Sequence, residues 1–384
     1  MKILHVCTDE KFIDGMIDLF EFVYPGKNRF LIFGSKKFPL KYVKNKNVIM
    51  GDTRYLYFGG MKQDIKNIDV IIIHFLTEMS AYLALQAPSN VKIVWSGWGA
   101  DYYRLIPKFN YDSILPETRS LIENENPSIQ FVNTFKGRFI SIINGIKMKN
   151  SIGNSINRMD YFSAPVFTDY SIVQKGFSEF SAKYIQLNYG LPSKKYRNPH
   201  NITNLGAKDI LVGNSSAPTN NHIEIFILLK NIIPKDTMIV VPLSYGDEVY
   251  REKIIKIGYE MFAGQFQPLV GFLPLSDYQE KIASCSIVIM NHIRQQALGN
   301  IVMGLYAGKK VFLRKESVIY QYLTDLGVRV ESVEAMCSEG LAFVDDEDIV
   351  LNNRAIIDKN WSDEVVINNT KKIKDIILDD NSKH

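Results

Sequence analysis

Arg294-Gln295-Gln296-Ala297-Leu298-Gly299-Asn300 is the stretch best equipped for chemistry. It follows the apolar run from Cys285 to Met290 and leads into a helical run from Ile301 to Ala307. The first turn of a helix carries backbone N–H groups without intrahelical partners and the positive end of the dipole, which suits a phosphate. Gly299 allows backbone to approach a ligand closely. Gln295, Gln296 and Asn300 add neutral donors, and Arg294 adds a fixed, forked cation. Two readings fit: a seat for the diphosphate of a sugar nucleotide, or an ordinary polar turn of an α/β domain.

Three more turns of the same kind precede it. Gly213-Asn214-Ser215-Ser216 follows one apolar run and leads to Thr219-Asn220-Asn221-His222, the start of a helix. Small residues with hydroxyl and amide groups suit a phosphate or a sugar. In Leu243-Ser244-Tyr245-Gly246 the tyrosine could stack on a base or bond a ribose. Phe272 could line a base pocket. Each turn alone is also explained by plain turn geometry. Earlier in the chain, Asp9, His74 and Asp101 each stand just past or at the end of an apolar run. Asp9 reads as a functional carboxylate or a helix cap, and His74 as a site histidine or a satisfied interior one. Asp101, after Gly97-Trp98-Gly99, reads best as a functional carboxylate.

The elements that must hold these groups are short apolar runs alternating with amphipathic ones. Runs at 3–7, 30–34, 48–50, 70–75 and 91–96 predict parallel strands, with helices near 11–22 and 78–85 between them. A second series at 209–213, 238–243, 269–273, 287–290 and 310–313 predicts another parallel sheet, with helices near 222–229, 248–262, 275–283 and 300–307. The polar stretch 191–205 reads as a linker. The expectation is therefore α/β: a first domain over 1–195, a second over 206–355, and a C-terminal helix within 360–384 packing back toward the first. Ligands of such sheets gather beyond the carboxyl ends of the strands, and a cleft between two such domains is the expected site.

The 384 residues are 46% hydrophobic and 22% charged, ordinary for a globular protein of two domains. A net charge of +4 is too small to argue for nucleic acid. Cys7, Cys285 and Cys337 are far apart, which predicts thiols in a reducing compartment rather than a disulfide or metal set. No signal peptide or spanning helix is expected. Between Phe131 and Arg158 apolar residues mix with cations and no acidic residue occurs. This is the pattern of an amphipathic segment on an anionic membrane, or of a surface helix packed on its own domain.

Leu211-Val212-Gly213-Asn214-Ser215, Asn221-His222, Val240 to Gly246, Arg294 to Asn300 and Trp98-Gly99-Ala100-Asp101 together resemble glycosyltransferase family 56. The resemblance implies a GT-B architecture of two Rossmann-like domains facing across a cleft. It implies inversion at the anomeric carbon, a TDP-sugar donor (N-acetylfucosamine in the family) and no metal or other cofactor. The donor site would comprise Gly213, Asn214, Ser215, His222, Ser244, Tyr245, Phe272, Arg294, Gln295, Gln296, Gly299 and Asn300. Asp101 would be the general base, with His74 and Asp9 as alternatives. The implied acceptor is a lipid-linked saccharide at the cytoplasmic face of the bacterial inner membrane, in the synthesis of a common antigen or O-antigen, with no nucleic-acid partner. Two other readings are a nucleotide-sugar epimerase or hydrolase on the same plan, and a non-catalytic scaffold that binds nucleotide sugar.

Overall fold

The structure, a computed structural model, describes residues 1–34, 39–52, 55–56, 61, 65–106, 113–123, 151–191, 207–271, 273–341 and 346–381. The chain divides into two units. The first comprises Met1–Ile106, Val132–Leu191 and Asp363–His384, and the second Pro107–Phe131 and Pro192–Ser362.

The first unit is built on strands β1 (Ile3–Cys7), β2 (Asn28–Phe33), β3 (Val48–Gly51), β4 (Val70–His74), β5 (Lys92–Ser96), β6 (Tyr161–Ser163) and β7 (Lys183–Tyr184). They pair in the order β3-β2-β1-β4-β5-β6-β7, every pair parallel. Helix Ile13–Val23 buries Ile13, Met16, Ile17 and Phe20, a stripe at helical spacing, against β1 and β2. Ile373 and Ile377 of helix Asp363–Asn381 join that cluster, and Tyr24 Oη donates to the carbonyl of Thr370 at 2.8 Å.

The second unit contains β8 (Asp209–Val212), β9 (Ile239–Pro242), β10 (Phe266–Leu269), β11 (Cys285–Met290), β12 (Lys310–Leu313) and β13 (Glu331–Ser332). Their order is β10-β9-β8-β11-β12-β13, again all parallel. Both faces are buried, as a parallel sheet under helices requires. Ile210, Val212, Ile287 and Ile289 face one core with Phe226 of helix His222–Ile232. Leu211, Val288 and Met290 face the other with Ile301 and Leu305 of helix Leu298–Tyr306. β10 ends at Leu269, so Val270 and Gly271 follow the strand instead of forming it; a proline at 268 and two partly open neighbours mark a sheet edge.

Chain continuity would keep residues 113–123 with the first sheet, yet they belong to the second unit. Helix Pro116–Glu123 is tied there through Glu224, which accepts from Thr118 N at 3.0 Å and from Thr118 Oγ1 at 2.6 Å. Leu121 and Ile122 pack on the Phe226 core.

Candidate active site

In each sheet the strand order reverses once beside the first strand, between β1 and β4 and between β8 and β11. The carboxyl ends at such a reversal form the natural crevice for a ligand.

At the end of β8, Gly213 has φ +71°, a conformation glycine adopts without a side-chain clash. A Cβ there would lie 2.7 Å from His222 Nε2 and 2.9 Å from Asn220 Oδ1. Asn214 N donates to Asn220 Oδ1 at 2.9 Å, and Asn220 Nδ2 donates to the carbonyls of Ser215 and Ala217. This amide thus folds the Gly213–Ser216 turn back on itself. The turn after β9 is held beside it, because Ser216 N donates to the Tyr245 carbonyl at 2.8 Å.

The turn after β11 closes the arrangement. Ala297 sits at φ +60° and caps helix Leu298–Tyr306. The helix therefore begins before Ile301, and Gly299 and Asn300 lie in its first turn. Gln296 Nε2 donates to Asn214 Oδ1 at 2.9 Å, and Asn214 Nδ2 donates to Tyr245 Oη at 2.8 Å. Thr219 Oγ1 donates to Gln296 Oε1 at 2.7 Å, and Arg294 Nη2 reaches Thr219 Oγ1 at 3.5 Å. Arg294, Gln296, Thr219, Asn214 and Tyr245 therefore form one hydrogen-bonded chain across the ends of β8, β9 and β11. Asn300 Nδ2 donates to Tyr278 Oη at 3.0 Å, bringing a tyrosine from helix Leu275–Ser284 to the same edge. Ser215 and Gln295 are buried, while Ser244 is half-buried. His222 is enclosed behind the Gly213 turn with Nδ1 3.0 Å from Tyr250 Oη, and burial pushes its pKa down to about 3. Phe272 lies outside the described residues.

The first sheet treats its three candidates differently. Asp9 does not cap helix Ile13–Val23, whose N-cap is Phe12 without a side-chain bond. Its carboxylate accepts from the backbone N–H groups of Lys41, Tyr42 and Val43, at 2.5, 3.0 and 3.0 Å. Partial burial alone would raise its pKa, but these donors outweigh that and lower it. Asp101 is wholly enclosed. It accepts from Leu76 N at 3.0 Å, Trp95 Nε1 at 2.8 Å and Trp98 N at 2.8 Å. Burial raises its pKa against the pull of those donors. In this conformation the carboxylate is a clamp that fastens the loop after β4 to the Gly97-Trp98-Gly99 turn, not a group open to substrate. His74 ends β4, and the bulky Phe75 after it is forced to φ +72°.

The family model for 4-alpha-L-fucosyltransferase, glycosyl transferase group 56, matches residues 168–362. The chain belongs to glycosyl transferase group 56. It is a glycosyltransferase, and its two parallel-sheet α/β domains match GT-B structures over the whole chain. The HepE protein of Anabaena, solved with UDP and glucose, is 12% identical with a TM-score of 0.64, covering 99% of this chain and 100% of that one. A Rickettsia africae glycosyltransferase is 13% identical with a TM-score of 0.63, covering 98% of each chain. Sucrose-phosphate synthase from Thermosynechococcus elongatus is 8% identical with a TM-score of 0.63, covering 98% of this chain and 99% of that one.

The span matched to group 56 contains every polar turn of the second sheet, whereas Asp9, His74 and Asp101 precede it. Sequence reasoning did not assign Thr219, Asn220, His292 or Tyr278 to this glycosyltransferase's site. His292 is buried just past β11 with Nε2 2.9 Å from Asn220 Oδ1. The available signal was a polar pair, Asn291-His292, directly after an apolar strand. No helix among the described residues is long and apolar enough to cross a membrane. Of the cationic segment, residues 131–150 lie outside the described residues and Ser151–Ile156 is a short helix.

Proposed function

We propose that this glycosyltransferase moves a dideoxyhexose, with or without a 4-acetamido group, from a TDP-sugar to an undecaprenyl-diphosphate-linked saccharide, with inversion, in bacterial cell-surface polysaccharide synthesis. The observation that carries the donor half is the hydrogen-bonded chain Arg294–Thr219–Gln296–Asn214–Tyr245 at the β8/β11 reversal. It holds a guanidinium and a helix start beside amide donors, the combination that favours a diphosphate. The UDP-glucose complex of the Anabaena HepE protein supports a nucleotide-sugar donor.

The acceptor hydroxyl must lose its proton. Asp101 and Asp9 each accept three N–H groups, whereas His74 Nδ1 has no partner among the described residues, so this reading assigns the proton to His74. The hydroxyl oxygen bonds to the anomeric carbon as its proton passes to His74 Nδ1. The bond from that carbon to the diphosphate breaks, TDP keeps the electron pair, and a single displacement inverts the centre. Arg294 and the start of helix Leu298–Tyr306 stabilise the charge that builds on the leaving group. The cationic segment 131–158 supplies contact with the inner-membrane surface.

A thermal-shift series with TDP, UDP and GDP, followed by transfer from the best nucleotide's sugars to a lipid-linked acceptor, tests this. Selective stabilisation by TDP and an inverted product support it. Stabilisation by another nucleotide alone, or release of free sugar without any acceptor dependence, sinks it.

A further inference from the structure

A row of polar side chains crosses the first sheet diagonally, from the amino end of β2 to the carboxyl end of β4. Asn28 pairs in register with Ile3, His5 with Ile72 and His74 with Ser96. Steps of two along a strand keep side chains on one face, so Asn28, His5, His74 and Ser96 share it. His5 Nε2 is 3.3 Å from Asn28 Oδ1, and His5 Nδ1 is 3.0 Å from His74 Nε2.

The proton positions along this row follow from its first member. Asn28 Nδ2 faces three groups that only accept: the carbonyls of Phe20 and Tyr24 at 3.1 and 2.7 Å, and Glu21 Oε1 at 3.0 Å. Its Oδ1 therefore faces His5 and accepts, so His5 Nε2 carries the proton. Burial, together with the neighbouring His74, keeps His5 neutral, so its Nδ1 is a lone pair. That lone pair requires a proton on His74 Nε2. His74 is also held neutral by burial, with its pKa at about 3, so its Nδ1 is bare. This buried atom has no hydrogen-bond partner among the described residues, and neither have Ser96 Oγ or Trp98 Nε1 nearby. The His74 and Trp98 ring centroids are 6.5 Å apart. An unpaired buried acceptor costs stability, and a ligand hydroxyl is the group that would satisfy it.

We infer that Asn28 and His5 are positioning residues, holding His74 in the Nε2–H form so that its Nδ1 receives a sugar hydroxyl at the carboxyl end of the first sheet. This rests on the glycosyl-transfer reading given above. His5 stacks on Phe30 at 4.3 Å between ring centroids, so a phenylalanine in its place keeps the packing while deleting the lone pair toward His74 and the N–H toward Asn28. An asparagine there restores an acceptor oxygen near the position of Nδ1.

Nitrogen-15 labelling of the histidines in the full chain, read by long-range proton–nitrogen correlation, reports each tautomer. Wild type should show His74 protonated at Nε2 alone, and the Nδ1 signal should move when a TDP-hexose and a lipid-linked saccharide are added. His5→Phe should mix the two His74 tautomers and cut transfer kcat/KM by about tenfold; His5→Asn should recover most of both. A proton on Nδ1 of His74 in the wild type, or wild-type kcat/KM in His5→Phe, overturns the inference. Failure of every nucleotide sugar to react would strike at the donor reading instead, and the wild-type tautomer spectrum would still decide this one.

Discussion

Acid should unfold this protein well before its carboxylates are all protonated, and four interior histidines are the reason. His5 and His74 are enclosed in the first unit, His222 and His292 in the second. Burial holds His74 and His222 at about 3. Burial first, then His74 for His5 and Arg294 for His292, keeps the other two well below the ordinary value. In the unfolded chain each would titrate near 6.5, about the free value. Below about pH 6.5 the unfolded chain therefore takes up protons that the folded protein refuses, and stability falls with pH. A group held at about 3 contributes a slope of about 1.4 kcal/mol per pH unit across that window. At about pH 4.5 the loss is about 2.5 kcal/mol each for His74 and His222, about 5 together, before His5 and His292 are counted. That is a large share of the roughly 5–15 kcal/mol that keeps a domain folded. Asp101 acts in the opposite sense, since its raised pKa lets the folded state take a proton readily. Urea titrations at a series of pH values, with hydrogen exchange read separately in each unit, measure the effect. The midpoint should fall steadily between about pH 6.5 and about pH 4.5 in both units. His74→Phe, which cannot take a proton, should flatten the slope in the first unit only. A midpoint that stays level over that range refutes the reasoning.

Three further outcomes are expected. Arg294→Ala should weaken TDP binding by roughly tenfold to a hundredfold, read by calorimetry, while the melting temperature without ligand changes little, because the Arg294 side chain is only partly buried. Gly213→Ala should cost roughly 1–3 kcal/mol in thermal unfolding and lose nucleotide binding, since the residue must hold a positive φ with its Cβ pressed toward His222 and Asn220. Asp101→Asn should destabilise the first unit by roughly 1–3 kcal/mol in urea unfolding, because its amide turns a donor toward N–H groups that now meet a carboxylate; unchanged stability with lost turnover would instead return Asp101 to the chemistry.

Much of this molecule is legible along the chain. Short apolar runs such as Ile287–Met290 can satisfy their backbone only in a covered sheet, and the amphipathic runs between them, Glu248–Phe262 among them, are the helices that cover it. The polar turns after β8, β9 and β11 are equally visible, because a polar cluster closing an apolar strand stands out in one dimension.

What the chain order conceals is which polar groups meet. Asn28, His5 and His74 are joined only by strand register, which depends on the order β2-β1-β4 and not on sequence distance. Asp101 looks like an open carboxylate until the fold brings Leu76, Trp95 and Trp98 around it. Asp9 looks like a helix cap until residues 41–43 come within reach of it. Residues 113–123 follow the first sheet in sequence and join the second unit because Glu224 and Asn221 bind them there. Periodicity is a local property and survives in the linear text; burial and hydrogen-bond partnership are set by residues far apart in sequence, so only the folded chain decides them.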